Sequence, residues 1–169
     1  MASVPQLHTV RTSEDAHLIA DLAREIWTEH YTPIIGQGQV EYMLNKFQNP
    51  QKILQDVTEH GYTCLWMEQE GRPAAYMAWR FGPDEDACFL SKLYVSKAWR
   101  GHGLARALLD HLVQRCRKTQ IKYIWLTVNK NNKQSIEVYK KLMFYKTGER
   151  ITDIGGGYVM DDDVMQRDL

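Results

Sequence analysis

The stretch VSKAWRGHGLARALLDHL, Val95 to Leu112, sets an arginine and two glycines directly ahead of an apolar run with helical spacing. Leu104, Leu108 and Leu112 fall on one face of the helix that follows. Glycine is poor helix material, so Gly101 and Gly103 serve the junction rather than the helix. The first turn of a helix presents unpaired N–H groups and the positive end of the helix dipole, and such an end binds phosphate when nothing blocks the approach. Both glycines remove Cβ atoms that would hold a phosphate oxygen off the backbone, and Arg100 adds a forked cationic donor. The run Arg100, Gly101, His102, Gly103, Leu104, Ala105 therefore reads as a pyrophosphate cradle between a strand and a helix. Glycines that merely let the strand turn into the helix are the plainer alternative.

Two nucleotide loops fit poorly. A Walker loop needs a Gly-Lys-Ser/Thr ending, and none is present. A dinucleotide fingerprint needs Gly or Ala where Arg106 sits.

Working outward, ACFLSKLYV (87–95) is apolar on both faces, as a central strand is. Upstream, YTCLWMEQ and PAAYMAWRF are strands flanking the hairpin turn EGR. LHTVR is a short opening strand, and TSED starts a helix with Thr12 or Ser13 as N-cap. Leu18, Leu22, Ile26 and Tyr31 recur along that helix until Pro33, Gly36 and Gly38 break it. Further helices cover Val40 to Phe47 and Pro50 to Gly61. Downstream, YIWLTV is a strand, KQSIEVYKKL a helix, and FYKTGERITDI and GYVMDDDVMQ two closing strands, with a sharp turn at Gly155 to Gly157. The order predicts a single α/β domain over residues 1–169, with a mixed sheet.

The length suits one domain with a proper core. Lys plus Arg and Asp plus Glu balance at 21 each, so no global field favours nucleic acid or a membrane as partner. The start lacks the apolar core of a secretory signal, and no run approaches the roughly 20 apolar residues that span a bilayer. Cys64, Cys88 and Cys116 are odd in number and form no CxxC pair, which suggests reduced thiols in the cytoplasm. The histidines form no HExxH-like pair, so no metal is expected.

LYVSKAWRGHGLARALL resembles the central coenzyme A motif of GNAT-type N-acetyltransferases, Arg/Gln-x-x-Gly-x-Gly/Ala, with Arg100, Gly103 and Ala105 in its three positions. LTVNKNNKQSIEVYKKLMFY is similar to a second family motif through Asn132, Ser135, Tyr139 and Lys141. Met143 stands where the family usually has glycine, followed by Phe144. EYMLNKFQ, FLSKLYV, LTVNKNN and DIGGGYVMDD resemble the bacterial PaiA type of spermidine/spermine acetyltransferase.

The resemblance implies the GNAT fold, a twisted mixed sheet whose central parallel strands splay to admit acetyl-CoA. It implies that Leu93, Tyr94 and Val95 hold the pantetheine arm through backbone groups, which a splayed strand edge leaves to be satisfied. One such N–H can polarise the thioester carbonyl. Within the cradle His102 lies solvated beside the ligand, and Arg106 either reaches a phosphate or decorates the helix. Asn132 bonds the coenzyme arm, caps its helix, or does both. Lys141 meets the 3′-phosphate or complements the helix dipole.

Tyr139 is the expected general acid. The departing thiol has a pKa of about 8.5 against about 10 for a phenol, so a phenol near the sulfur can protonate it. As the alternative, Ile136, Tyr139 and Met143 fit an apolar stripe. The attacking amine must first lose a proton, and Lys92 offers no carboxylate on the central strand. Tyr31 and Glu41, with Asp153 and Asp161 to Asp163, are candidates to attract a cationic acceptor; for the Asp run an ordinary solvated surface is the alternative.

The sequence thus predicts direct acetyl transfer from acetyl-CoA to a primary amine, with a polyamine such as spermidine or spermine as acceptor. A protein or aminoglycoside amine, or a non-catalytic acyl-CoA sensor, are the alternatives. A homodimer is a common arrangement for soluble proteins.

Overall fold

The computed structural model describes residues 3–169. In chain order the elements are β1 (Gln6–Thr9), α1 (Ser13–Ile35), α2 (Gln37–Phe47), α3 (Pro50–Glu59), β2 (Thr63–Gln69), β3 (Arg72–Phe81) and β4 (Ala87–Val95). After a 3-10 turn at Lys97–Trp99 come α4 (Leu104–Lys118), β5 (Tyr123–Asn129), α5 (Lys133–Lys141), β6 (Tyr145–Gly155) and β7 (Tyr158–Asp168). The seven strands form one sheet in the order β1-β2-β3-β4-β5-β7-β6. β4 and β5 run parallel, whereas β1 with β2, β2 with β3, β5 with β7 and β6 with β7 are antiparallel. The α/β class, the mixed sheet and the element order are as expected.

The chain divides into two compact units, Met1–Arg80 with Lys92–Leu109, and Phe81–Ser91 with Asp110–Leu169. In the first, Thr12 caps α1 in a capping box: its side chain accepts from the Asp15 amide at 3.1 Å, and the Asp15 carboxylate accepts from the Thr12 amide at 3.0 Å. The buried stripe of α1 is Ala16, Ile19, Leu22, Ala23, Ile26 and Trp27, so Leu18 lies outside it and is exposed. Pro33 does not stop this helix. In the last turn a proline forfeits one N–H bond, and the Gly36 amide still donates to the Thr32 carbonyl at 3.0 Å. Gly36, with φ 86°, ends α1, whereas Gly38 lies inside α2. Cys64, Leu65, Trp66 and Met67 on β2 and Ala74 to Trp79 on β3 are all buried, as expected of strands covered on both faces.

In the second unit, Leu112, Val113 and Cys116 of α4, Ile124, Leu126 and Val128 of β5, and Met165 of β7 form the core. All three cysteines are free and buried. The helix α5 closes in a Schellman motif. The Met143 amide donates to the Lys140 carbonyl at 3.1 Å and the Phe144 amide to the Tyr139 carbonyl at 2.9 Å. Met143 adopts φ 74° to make these bonds, a left-handed conformation that disfavours any side chain. Its side chain is 71% exposed and so gains little from packing. Met143→Gly is therefore expected to raise stability by about 0.5–1 kcal/mol, read as a higher denaturation midpoint; a lower midpoint contradicts this.

Candidate active site

In the first unit, the last residues of β4 lead through the 3-10 turn into the glycine junction. Gly101 and Gly103 have φ of 80° and 79°, values that L side chains rarely adopt. A Cβ at either position would meet no atom within 4 Å, so the space above both glycines is open. α4 begins at Leu104, and its first helical bond runs from the Ala107 amide to the Gly103 carbonyl at 3.0 Å. The amides of Leu104, Ala105 and Arg106 thus belong to the unpaired first turn. Leu104 is buried and anchors that turn, Ala105 is half-buried, and Arg106 is exposed. His102 is also exposed, its Nδ1 3.1 Å from the Arg100 carbonyl and its ring edge-on to Trp99 at 5.5 Å.

Arg100 is turned elsewhere. Its guanidinium donates to both carboxylate oxygens of Glu29 on α1, at 2.8 and 3.3 Å, and its Nε donates to the Val95 carbonyl at 3.2 Å. The guanidinium beside Glu29 holds that carboxyl below its ordinary range. Arg100 therefore braces the cradle against α1 and occupies one of the backbone carbonyls expected to receive the pantetheine arm.

Leu93 is buried, while Tyr94 and Val95 are half-buried. The Tyr94 ring packs against Trp27 (5.6 Å between centroids), Tyr76 (5.3 Å) and Tyr31 (6.2 Å). Tyr31, half-buried, thus belongs to an aromatic cluster rather than standing alone. Glu41 is held by Arg24, whose Nη1 donates to its two oxygens at 3.0 and 3.1 Å. Lys92 and Asp56 line a small void with Cys64, Tyr62, Ile19 and Ile53, and burial lowers the Lys92 pKa.

In the second unit, Asn132 is 1% exposed. Its side-chain oxygen accepts from the Ser135 amide at 3.3 Å as the N-cap of α5, which bears out the capping alternative. One helical stretch further, Tyr139 is half-buried with its ring edge-on to Phe144 at 5.7 Å. Lys141 is exposed in the last turn of α5.

The three consecutive aspartates of β7 separate by strand alternation. Asp161 pairs with Lys130, and Asp163 pairs with Lys146 at 3.0 Å. Asp162 faces the other way and is 4% exposed. Burial pushes its carboxyl up to about 6; Asp161 and Asp163 add to the rise, while the Thr127 hydroxyl bond and Arg150 oppose it. In the sequence these three read as one acidic run. The signal that separates them was present, since a strand cannot point three neighbours the same way. Nothing local pointed to Glu29, which meets Arg100 across 71 positions.

The family model described as Acetyltransferase (GNAT) family matches residues 19–144. An uncharacterized N-acetyltransferase of Mycobacterium bovis is 25% identical over 155 residues, covering 92% of this chain and 98% of its own. The ribosomal protein bS18-alanine N-acetyltransferase of Escherichia coli is 28% identical over 113 residues, 67% of this chain and 75% of its own. Among solved structures, the PaiA N-acetyltransferase of Thermoplasma acidophilum in complex with coenzyme A superposes with a TM-score of 0.79 at 17% identity, over 99% of this chain and 100% of that one. That likeness concerns the fold. Among the described residues, no group of three or more His, Cys, Asp or Glu side chains is arranged to hold a metal, and no helix is long and apolar enough to cross a membrane.

Proposed function

Because the chain belongs to the Acetyltransferase (GNAT) family, we propose that the amine this N-acetyltransferase acetylates is a polyamine such as spermidine or spermine. Acetyl-CoA is the donor co-substrate. The observation that carries the donor site is the pair of left-handed glycines, open above and directly ahead of α4. There Leu104 and Ala105 offer amides, and no side chain intrudes at Gly101 or Gly103.

Several roles follow from the family motif. Backbone groups of Leu93, Tyr94 and Val95 bind the pantetheine arm, and a strand amide polarises the thioester carbonyl. Arg100 adds charge near the phosphates while bridging to Glu29, and His102 stays solvated. Asn132 bonds the coenzyme arm in addition to capping α5. Lys141 complements the dipole of α5 and lies free to meet the 3′-phosphate. Tyr139 protonates the leaving thiolate. Support for an alkylammonium acceptor comes from the half-buried aromatic faces of Tyr31 and Tyr94, since ring faces attract organic cations. Glu41, already bound by Arg24, contributes to the field rather than by direct contact. The enzyme acts in the cytoplasm, a reading that three free cysteines support.

The similarity to a ribosomal-protein alanine acetyltransferase favours a second reading, a protein N-terminus as acceptor. Thiol release from acetyl-CoA with spermidine, spermine, a lysine peptide, an aminoglycoside and an alanine-terminated peptide separates them. A polyamine is expected to give the highest kcat/KM. Preference for the peptide overturns the polyamine assignment, and tight coenzyme binding with no release for any amine favours a sensor.

A further inference from the structure

Glu29 has no part in the roles above, yet it holds the forked donor that the glycine junction supplies. Its carboxylate, on α1, receives Arg100 Nη2 at 2.8 Å and Nη1 at 3.3 Å, while Arg100 Nε donates to the Val95 carbonyl at 3.2 Å. These groups all lie in the first unit, as do Gly101, Gly103 and the first turn of α4. With 29% of the Arg100 side chain and 35% of the Glu29 side chain exposed, the bridge is open to competition from a dissolved anion.

A guanidinium offers its N–H groups as two parallel pairs and a single donor. Glu29 fills one pair, and the Val95 carbonyl takes half of the other. Neither fork is left for a phosphate group. While the bridge stands, Arg100 lends a diphosphate its charge and single bonds, but the bidentate grip for which arginine is suited stays with the carboxylate. Hydrogen bonding from Arg100, with a smaller share from Lys97, holds the Glu29 carboxyl below its ordinary range. Glu29 is therefore ionised at neutral pH, and the restraint is in force there.

We propose that Glu29 is a positioning residue that limits the affinity of the donor site: by holding Arg100 against α1 and the Val95 carbonyl, it keeps the guanidinium fork off the diphosphate of the coenzyme. This role rests on acetyl-CoA seated at the glycine junction and holds for any acceptor amine. Its use lies in exchange. Acetyl-CoA and the CoA product carry the same diphosphate, so a fork closed on the donor would retain the product as well.

Calorimetric titration of acetyl-CoA, CoA and dephospho-CoA into wild type, Glu29→Gln and Glu29→Ala provides the test. Gln and Ala are both good helix formers, so α1 is kept, and should one variant not fold the other decides. Each is expected to lower Kd by about 3–10-fold, the share of a charge-assisted bond from a partly exposed guanidinium. Damage to the structure weakens binding, so tightening is a result that a merely structural carboxylate does not give. The gain is expected to be the same for dephospho-CoA, which keeps the diphosphate and lacks the 3′-phosphate. In an Arg100→Gln background, Glu29→Gln is expected to leave Kd within about twofold of that parent, because no fork remains to be released. An unchanged or raised Kd in the single variants overturns the proposal. So does equal tightening without Arg100, which assigns the effect to the carboxylate charge alone, or a gain that vanishes with dephospho-CoA, which moves the fork to the 3′-phosphate. Normal acetyl-CoA binding by Gly103→Val removes the seat at the junction itself, an outcome distinct from a protein that binds the coenzyme there and is indifferent to Glu29.

Discussion

Gly103→Val is expected to abolish acetyl-CoA binding in a protein that still folds. At φ 79° a valine is strained, at a cost of about 1–2 kcal/mol, which a domain of this size tolerates with a lowered melting temperature. Its Cβ points into open space, with no protein atom within 4 Å, on the side from which a ligand would approach the α4 amides. A rise in Kd of at least about 100-fold corresponds to the loss of two or more well-made charge-assisted hydrogen bonds. Gly103→Ala, with less bulk and similar backbone strain, is expected to fall between. Calorimetric titration with acetyl-CoA reads both. A folded valine variant that binds like the wild type removes the cradle from the donor site.

Tyr139→Phe is expected to lower kcat by about 100-fold, the ordinary share of a general acid, with acetyl-CoA affinity preserved. The design of this variant is favourable because the ring survives. Phenylalanine keeps the edge-on contact with Phe144 at 5.7 Å, which joins the residues bonded by the Schellman closure of α5, so folding and helix position are held while the hydroxyl is lost. Single-turnover kinetics separate chemistry from release. An unchanged rate of thiol formation assigns Tyr139 to the apolar stripe of α5 and nothing more.

Much of this was readable along the chain. The N-cap at Thr12, the strand over 87–95 and the glycine junction before Leu104 appear where the residues placed them. The departures have particular causes. Pro33 looked like a helix end because proline breaks interiors, yet in a final turn it removes one bond and the helix continues to Ile35. Leu18 matches the helical spacing, yet the stripe that α1 buries runs through Ile19 instead. Met143 occupies a left-handed turn usually given to glycine, and the turn forms regardless, because two hydrogen bonds close it.

What the sequence by itself determined were properties set within a few residues: which segments become strands or helices, where they are capped, and that bare glycine backbone stands at 101 and 103 directly ahead of a helix. Backbone sterics and local hydrogen bonds act over such short spans. Only the tertiary structure decided that Arg100 grips Glu29 across 71 positions and that Asp162, alone of three adjacent aspartates, lies buried without a lysine. Ion pairs and desolvation depend on which strands and helices come to lie beside one another, and register, not local propensity, settles that.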